Sequence, residues 1–111
     1  MKQDVETHLQ ELHRGTVVLA SLDLLRTPGY GYGLLQDLDR RGLGTDANTL
    51  YPLLRRLEKQ GYLTSEWNTE ESRPRKFYRT SADGITLAER MHAEWNALTA
   101  VISALDTDKE K

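Results

Sequence analysis

Six side chains between Asn48 and Lys59 have the types and spacing for hydrogen-bond chemistry: Asn48, Thr49, Tyr51, Arg55, Arg56 and Lys59. Amide, hydroxyl, phenol, guanidinium and ammonium groups are those that read base edges and grip phosphates along a duplex major groove. They stand opposite Leu50, Leu53, Leu54 and Leu57, whose spacings of three, one and three form one apolar stripe on a helix. At about 100° per residue, Asn48, Pro52, Arg55 and Lys59 centre the outer face, with Thr49, Tyr51 and Arg56 at its edges. A polar face opposite a leucine stripe also suits any solvated surface helix. The helix alone leaves both readings open.

The flanking elements narrow the choice. Gly61 stops the helix, as a glycine just past the last turn does. Residues 62–68 and 76–80 then read as two short strands rich in aromatic and hydroxyl side chains. The connection between them carries Arg73, Pro74 and Arg75 and is too polar for a core. A helix with a polar outer face running into a basic-tipped hairpin is the plan of a winged helix-turn-helix. Arg73, Arg75 and Lys76 at the tip could be plain solvated charges; beside such a helix, phosphate or minor-groove contact is the preferred reading.

The segments YGYGLLQDL, NTLYPLLRRLEKQGYL, SEW and RPRKFYRTSADG resemble the PadR family of bacterial transcriptional regulators, over roughly residues 12 to 95. The resemblance implies a mainly α fold with a two-stranded β-wing, a winged helix-turn-helix followed by a C-terminal dimerisation helix. Two positions depart from the family pattern. Asn48 replaces a small residue before Thr-Leu-Tyr, which bears on operator preference. Thr80 replaces an apolar residue at the end of the second wing strand, which is expected to weaken the wing's anchoring.

At 111 residues the chain is expected to form one domain around a small core. Charged residues at 29% and hydrophobic ones at 38% suit a water-soluble, helix-rich protein. The polar opening Met1 to Glu6 gives no sign of a signal peptide, and no apolar run approaches a membrane span. Zero cysteines rule out disulfides and thiolate metal sites and fit a cytoplasmic setting. The net charge of −2 is unevenly placed. Residues 46–79 hold seven basic against five acidic side chains, and residues 80–111 hold three against six. Positive charge therefore gathers where a nucleic acid would lie.

Several elements must position the polar face. Residues 1–12 form a tail or short helix, with Val5, Leu9 and Leu12 at helical spacing. The winged helix-turn-helix is expected over 13–81, starting with an apolar helix that ends before Pro28-Gly29. A second helix over 32–41 faces Leu34, Leu35 and Leu38 inward. The Gly-rich segment before it could present backbone N–H groups to a phosphate or be a simple turn. In the family that segment lies beside the DNA backbone, which implies that Tyr32 donates to a phosphate while Tyr30 packs. Thr45 or Asp46 caps the third helix, and Pro52 sits within it, as the family also has. Tyr51 is either a DNA contact or a ring over the core, and Trp67 is preferred as a core ring closing the sheet on the third helix rather than as part of a ligand cavity.

Ser81 caps a last helix over 82–106, followed by a disordered tail over 107–111. Ala88, Met91, Trp95, Leu98, Ile102 and Leu105 follow at spacings of 3, 4, 3, 4 and 3, a heptad seam that needs a partner helix. That partner could be the chain's own first helix. The resemblance implies instead a homodimer built from these residues together with Leu12 and Leu19 of the first helix. Family members can respond to small aromatic compounds, so the resemblance leaves two readings of Trp95, Met91 and Leu98: candidate residues for such an effector, or plain packing.

The expected function is sequence-specific binding of a palindromic double-stranded DNA operator, as a homodimeric repressor. Asn48, Thr49, Tyr51 and Arg55 are assigned to bases; Tyr32, Arg56, Lys59, Arg75 and Lys76 are assigned to phosphates. The alternative is a winged-helix adaptor that binds protein, for which the acidic last helix would serve. No enzyme is expected, because His8, His13 and His92 are far apart and no nucleophile–base pair is evident. Asp4 and His8 are one turn apart, a spacing more common as a helix-surface contact than as a metal site. Neither metal nor cofactor is expected.

Overall fold

The computed structural model describes residues 3–70 and 72–109. In chain order the elements are α1 (Gln3–Leu24), β1 (Gly29–Tyr30), α2 (Gly31–Arg40), α3 (Ala47–Lys59), β2 (Leu63–Asn68), β3 (Arg75–Thr80) and α4 (Ala82–Lys109). The leucine faces expected of α2 and α3 converge. Leu34 and Leu38 meet Leu50, Leu53, Leu54 and Leu57, with Leu22 and Leu25 of the first helix closing the cluster.

Local chemistry sets the ends of these elements. The Asp46 carboxylate accepts from the Thr49 backbone N–H at 2.7 Å, satisfying one of the free donors at the start of α3. Gly61 ends that helix at φ +87°, a left-handed conformation that costs a glycine little. Ser81 caps α4 by accepting from the Gly84 N–H at 3.0 Å, while its hydroxyl donates to the Gly61 carbonyl at 2.6 Å. One serine thus starts α4 and ties it to the turn that leaves α3. Pro52 lies inside α3 on the exposed side; having no N–H, it leaves the Asn48 carbonyl without its helical donor.

The wing has one strand more than expected. The sheet is antiparallel in the order β1-β3-β2, with Tyr30 opposite Phe77 and Leu63 opposite Thr80. The expected weakness at Thr80 is also corrected. Thr80 is buried, its hydroxyl donates to the Leu22 carbonyl at 2.6 Å, and its N–H donates to the Leu25 carbonyl at 2.8 Å. Carbonyls at a helix C-terminus lack intrahelical partners, and β3 supplies them to the end of α1.

Trp67 is not the core ring it was read as, being 63% exposed. The hairpin outruns the helix beneath it: Leu63 is the last fully buried residue of β2, and Trp67 lies four residues, about 13 Å, further out. The N-terminal boundary shifts as well. From residue 3 the chain runs as a single helix through the expected division at 12–13, because nothing between Gln3 and Leu24 breaks the helical pattern. At the other end α4 continues through residues 107–109, which were expected to belong to a tail; residues 1, 2, 110 and 111 lie outside the described residues.

α4 crosses α1 near its start. The His92 ring Nε2 lies 2.6 Å from the Asp23 carboxylate there. Ala88 is fully buried and belongs to the core cluster, so within the single chain it is not part of the exposed heptad seam. Beyond the His92–Asp23 contact, residues 93–107 of α4 are all exposed. The radius of gyration of 16.6 Å exceeds the roughly 13 Å of a compact chain of this length.

Candidate nucleic-acid interface

α3 buries its four leucines and leaves Asn48, Thr49, Pro52, Arg55, Arg56 and Lys59 exposed, so the helix presents the polar face read from its spacing. Tyr51 stands at the edge of that face, half-buried. A Cβ placed on Gly31 would lie 2.5 Å from its ring carbon Cε1, so the ring rests directly on the first turn of α2. Glycine is required there by close approach. Tyr51 therefore packs between the two helices, with part of the side chain still exposed.

Tyr32, one residue further along α2, is exposed, whereas Tyr30 is tied into the wing. The Tyr30 phenol accepts from the Asn68 side-chain amide at 2.8 Å, and its ring meets Phe77 edge-on with centroids 6.0 Å apart. The Arg75 guanidinium lies 3.9 Å above the same ring. A cation over an aromatic face is held without losing its charge, so Arg75 is oriented yet still exposed. Arg73 at the tip is exposed too.

Lys76 differs. Its Nζ lies 3.0 Å from Glu58 Oε1 at the end of α3, and the Ser65 hydroxyl donates to the other oxygen of the same carboxylate. Both charged side chains are about 30% exposed (29% and 31%). Ser65's hydroxyl, followed by Lys76's ammonium, holds the Glu58 carboxyl below the usual glutamate range, while Glu58 raises the Lys76 ammonium above the usual lysine range. The structure pairs Lys76, one of the expected phosphate contacts, with Glu58. Glu58 itself was missed: a glutamate beside a leucine stripe carries no signal pointing to a lysine 18 residues later. On the adjoining helix Arg40 and Arg41 both bond Asp37, at 2.9 and 3.0 Å, and Arg41 then Arg40 lower its carboxyl.

A helix with an open polar face, flanked by an antiparallel wing carrying exposed arginines, has the architecture of a winged helix-turn-helix. The model of the transcriptional regulator PadR-like family matches residues 18–90. The chain belongs to the PadR-like family. It is similar to a PadR family transcriptional regulator from Eggerthella lenta DSM 2243, at 46% identity and a TM-score of 0.86, covering 91% of this chain and 90% of that one. A transcriptional regulator from Clostridium thermocellum matches at 29% identity and a TM-score of 0.75, covering 93% and 95% of the two chains. A curated transcriptional regulator from Mycobacterium tuberculosis H37Rv is 42% identical over 55 residues, half of this chain and 51% of that protein's length. PadR-like proteins are DNA-binding transcriptional regulators rather than enzymes. Among the described residues, no helix of this PadR-like chain is long and apolar enough to cross a membrane.

The expected dimer residues divide into two groups. Leu19 and Ala88 are buried within the chain, and Met91 is half-buried against the core. Leu12, Trp95, Leu98, Ile102 and Leu105 are exposed, lying on the outer parts of α1 and α4. Leu12, Leu19, Met91, Trp95, Leu98 and Ile102 line an open apolar groove of about 570 Å³ between the two helices.

Proposed function

We propose that this PadR-like chain is a homodimeric repressor that places α3 of each subunit in successive major grooves of a palindromic operator. The observation that carries the reading is the pairing of two surfaces on one small chain. One is the open polar face of α3 beside the wing; the other is an apolar seam on α4 with Leu98, Ile102 and Leu105 uncovered. A two-fold pair of helices spaced by about 34–36 Å matches half-sites one turn apart. Asn48, Thr49, Tyr51 and Arg55 take the base contacts. Tyr32, Arg56, Lys59 and Arg75 hold phosphates, with Arg73 at the wing tip.

Release by a small aromatic compound belongs to the same reading. Trp95, Met91 and Leu98 share the groove between α1 and α4, and its apolar lining suits a flat ring.

The test is fluorescence anisotropy on DNA from upstream of the protein's own gene, against a scrambled duplex, at two salt concentrations. Specific binding survives competitor and weakens with salt. The Arg55→Ala variant is expected to lose about 1–3 kcal/mol of operator affinity and to relax discrimination at one base position. If Arg55→Ala binds operator and scrambled duplex as the parent does, the base-reading role of α3 is wrong.

A further inference from the structure

We propose that Glu58 is a positioning residue that limits the sequence-independent affinity of the DNA interface: it docks the wing on the end of α3 and withholds the Lys76 ammonium from phosphate. The inference rests on the DNA-binding reading above and adds a device to it.

Lys76 and Ser65 lie on one face of the hairpin. The register sets Ser65 opposite Tyr78 and Trp67 opposite Lys76, so Ser65 and Lys76 are diagonal neighbours on adjacent strands. Glu58 comes up to that face from the last turn of α3. Its two oxygens are divided between the strands, Oε2 accepting from Ser65 on β2 and Oε1 from Lys76 on β3 at 3.0 Å. One carboxylate therefore joins three elements and sets the wing's angle to the recognition helix.

The same bond removes a cation from the phosphate-binding set. Arg55, Arg56, Lys59, Arg73 and Arg75 are exposed, whereas Lys76 is half-buried and paired. A lysine on phosphate adds affinity for every sequence alike, because phosphate contacts carry no base information. Holding Lys76 back keeps sequence-independent binding low.

The test compares the parent protein, Glu58→Gln, Lys76→Met and the double variant by anisotropy titration over a range of salt, on operator and scrambled duplexes. Glutamine keeps an oxygen for Ser65 but loses the charge that holds Lys76. Lys76→Met is expected to leave the slope of log K against log salt unchanged. Glu58→Gln should steepen it by about 0.9 per subunit on both duplexes and tighten both alike, leaving the operator-to-scrambled ratio near the parental one. The double variant should return to the parental slope, which a loss of structure alone would not produce. A flatter slope in Lys76→Met would show Lys76 already on phosphate, and an unchanged slope in Glu58→Gln would show that it is not released. Either overturns the proposal.

Amine labelling read by mass spectrometry, without DNA, gives an independent arm. Lys76 should label more slowly than exposed Lys59 in the parent and match it in Glu58→Gln; equal labelling in the parent overturns the withholding. A parent that binds no duplex would defeat the operator reading, and labelling would then decide the fate of Lys76.

Discussion

Thr80 donates its hydroxyl to the Leu22 carbonyl at the last turn of α1, in a buried setting. Valine has nearly the same shape but no donor, so Thr80→Val leaves a buried carbonyl unsatisfied. That is expected to lower stability by about 1–3 kcal/mol, measured as a shift in the urea midpoint with unchanged slope. An unchanged midpoint would mean that water reaches the carbonyl. Glu58 and Lys76 carry a pH signature at the same scale. The Glu58 carboxyl is lowered in the fold, so its contribution is present above the unfolded glutamate pKa and is lost as pH falls through the lowered value. The Lys76 ammonium is raised, so its contribution holds below the unfolded lysine pKa and is lost as pH rises through the raised value. Stability measured across pH should therefore fall away at both ends, and Glu58→Gln should weaken both declines. Persistence of the full acid decline in that variant would assign it to other carboxylates.

At the scale of elements, Gly84 is a sharp case. It lies in the first turn of α4, where alanine would ordinarily favour the helix by up to about 1 kcal/mol. A Cβ there would collide with the Tyr62 carbonyl oxygen, which is backbone and cannot swing aside. Gly84→Ala is expected to destabilise by about 1–3 kcal/mol, and a stabilised variant in thermal melts would show that α4 can shift. Much of this architecture was legible in the sequence. The leucine spacing of α2 and α3, the caps at Asp46 and Ser81 and the glycine stop at Gly61 are local signals, and local signals survive without a fold. What was missed depends on distance. β1 is two residues long and shows no alternation, so only its pairing with Tyr78 and Phe77 reveals it. Thr80 reads as a defect until the end of α1 is set beside it. Trp67 reads as core because its residue type suggests burial, while its exposure depends on where α3 stops. Ala88 obeys the heptad spacing, yet it is buried in the core cluster, which the spacing does not show. On the functional face the residue types of α3 were readable from spacing, but the Glu58–Lys76 pair was not, since it forms only when the hairpin folds back.

The whole molecule measures 63 × 35 × 22 Å, and its long dimension reflects α4, whose 28 residues span about 42 Å. Ile102 and Leu105 are 61% and 59% exposed on the part of α4 beyond the His92–Asp23 contact. An apolar row of this kind is the surface expected to close against a second copy. Ile102→Glu should convert a dimer to a monomer in sedimentation equilibrium while leaving the winged domain folded, with operator binding weakened through loss of the paired half-site. A dimer that survives this change would place the interface elsewhere.

In the proposed homodimer, that uncovered row would also make the amount of protein a variable in its own right. A helix whose outer turns gain their burial only from a second chain is stabilised by mass action. Dilution would then separate the subunits, loosen the end of α4 and lose the fixed spacing between the two reading helices in one step. Occupancy of a two-half-site target would rise more steeply than in proportion to subunit number near that threshold. In the proposed homodimer, the geometry of one overhanging helix would supply a threshold in gene dosage, with no ligand needed to set it.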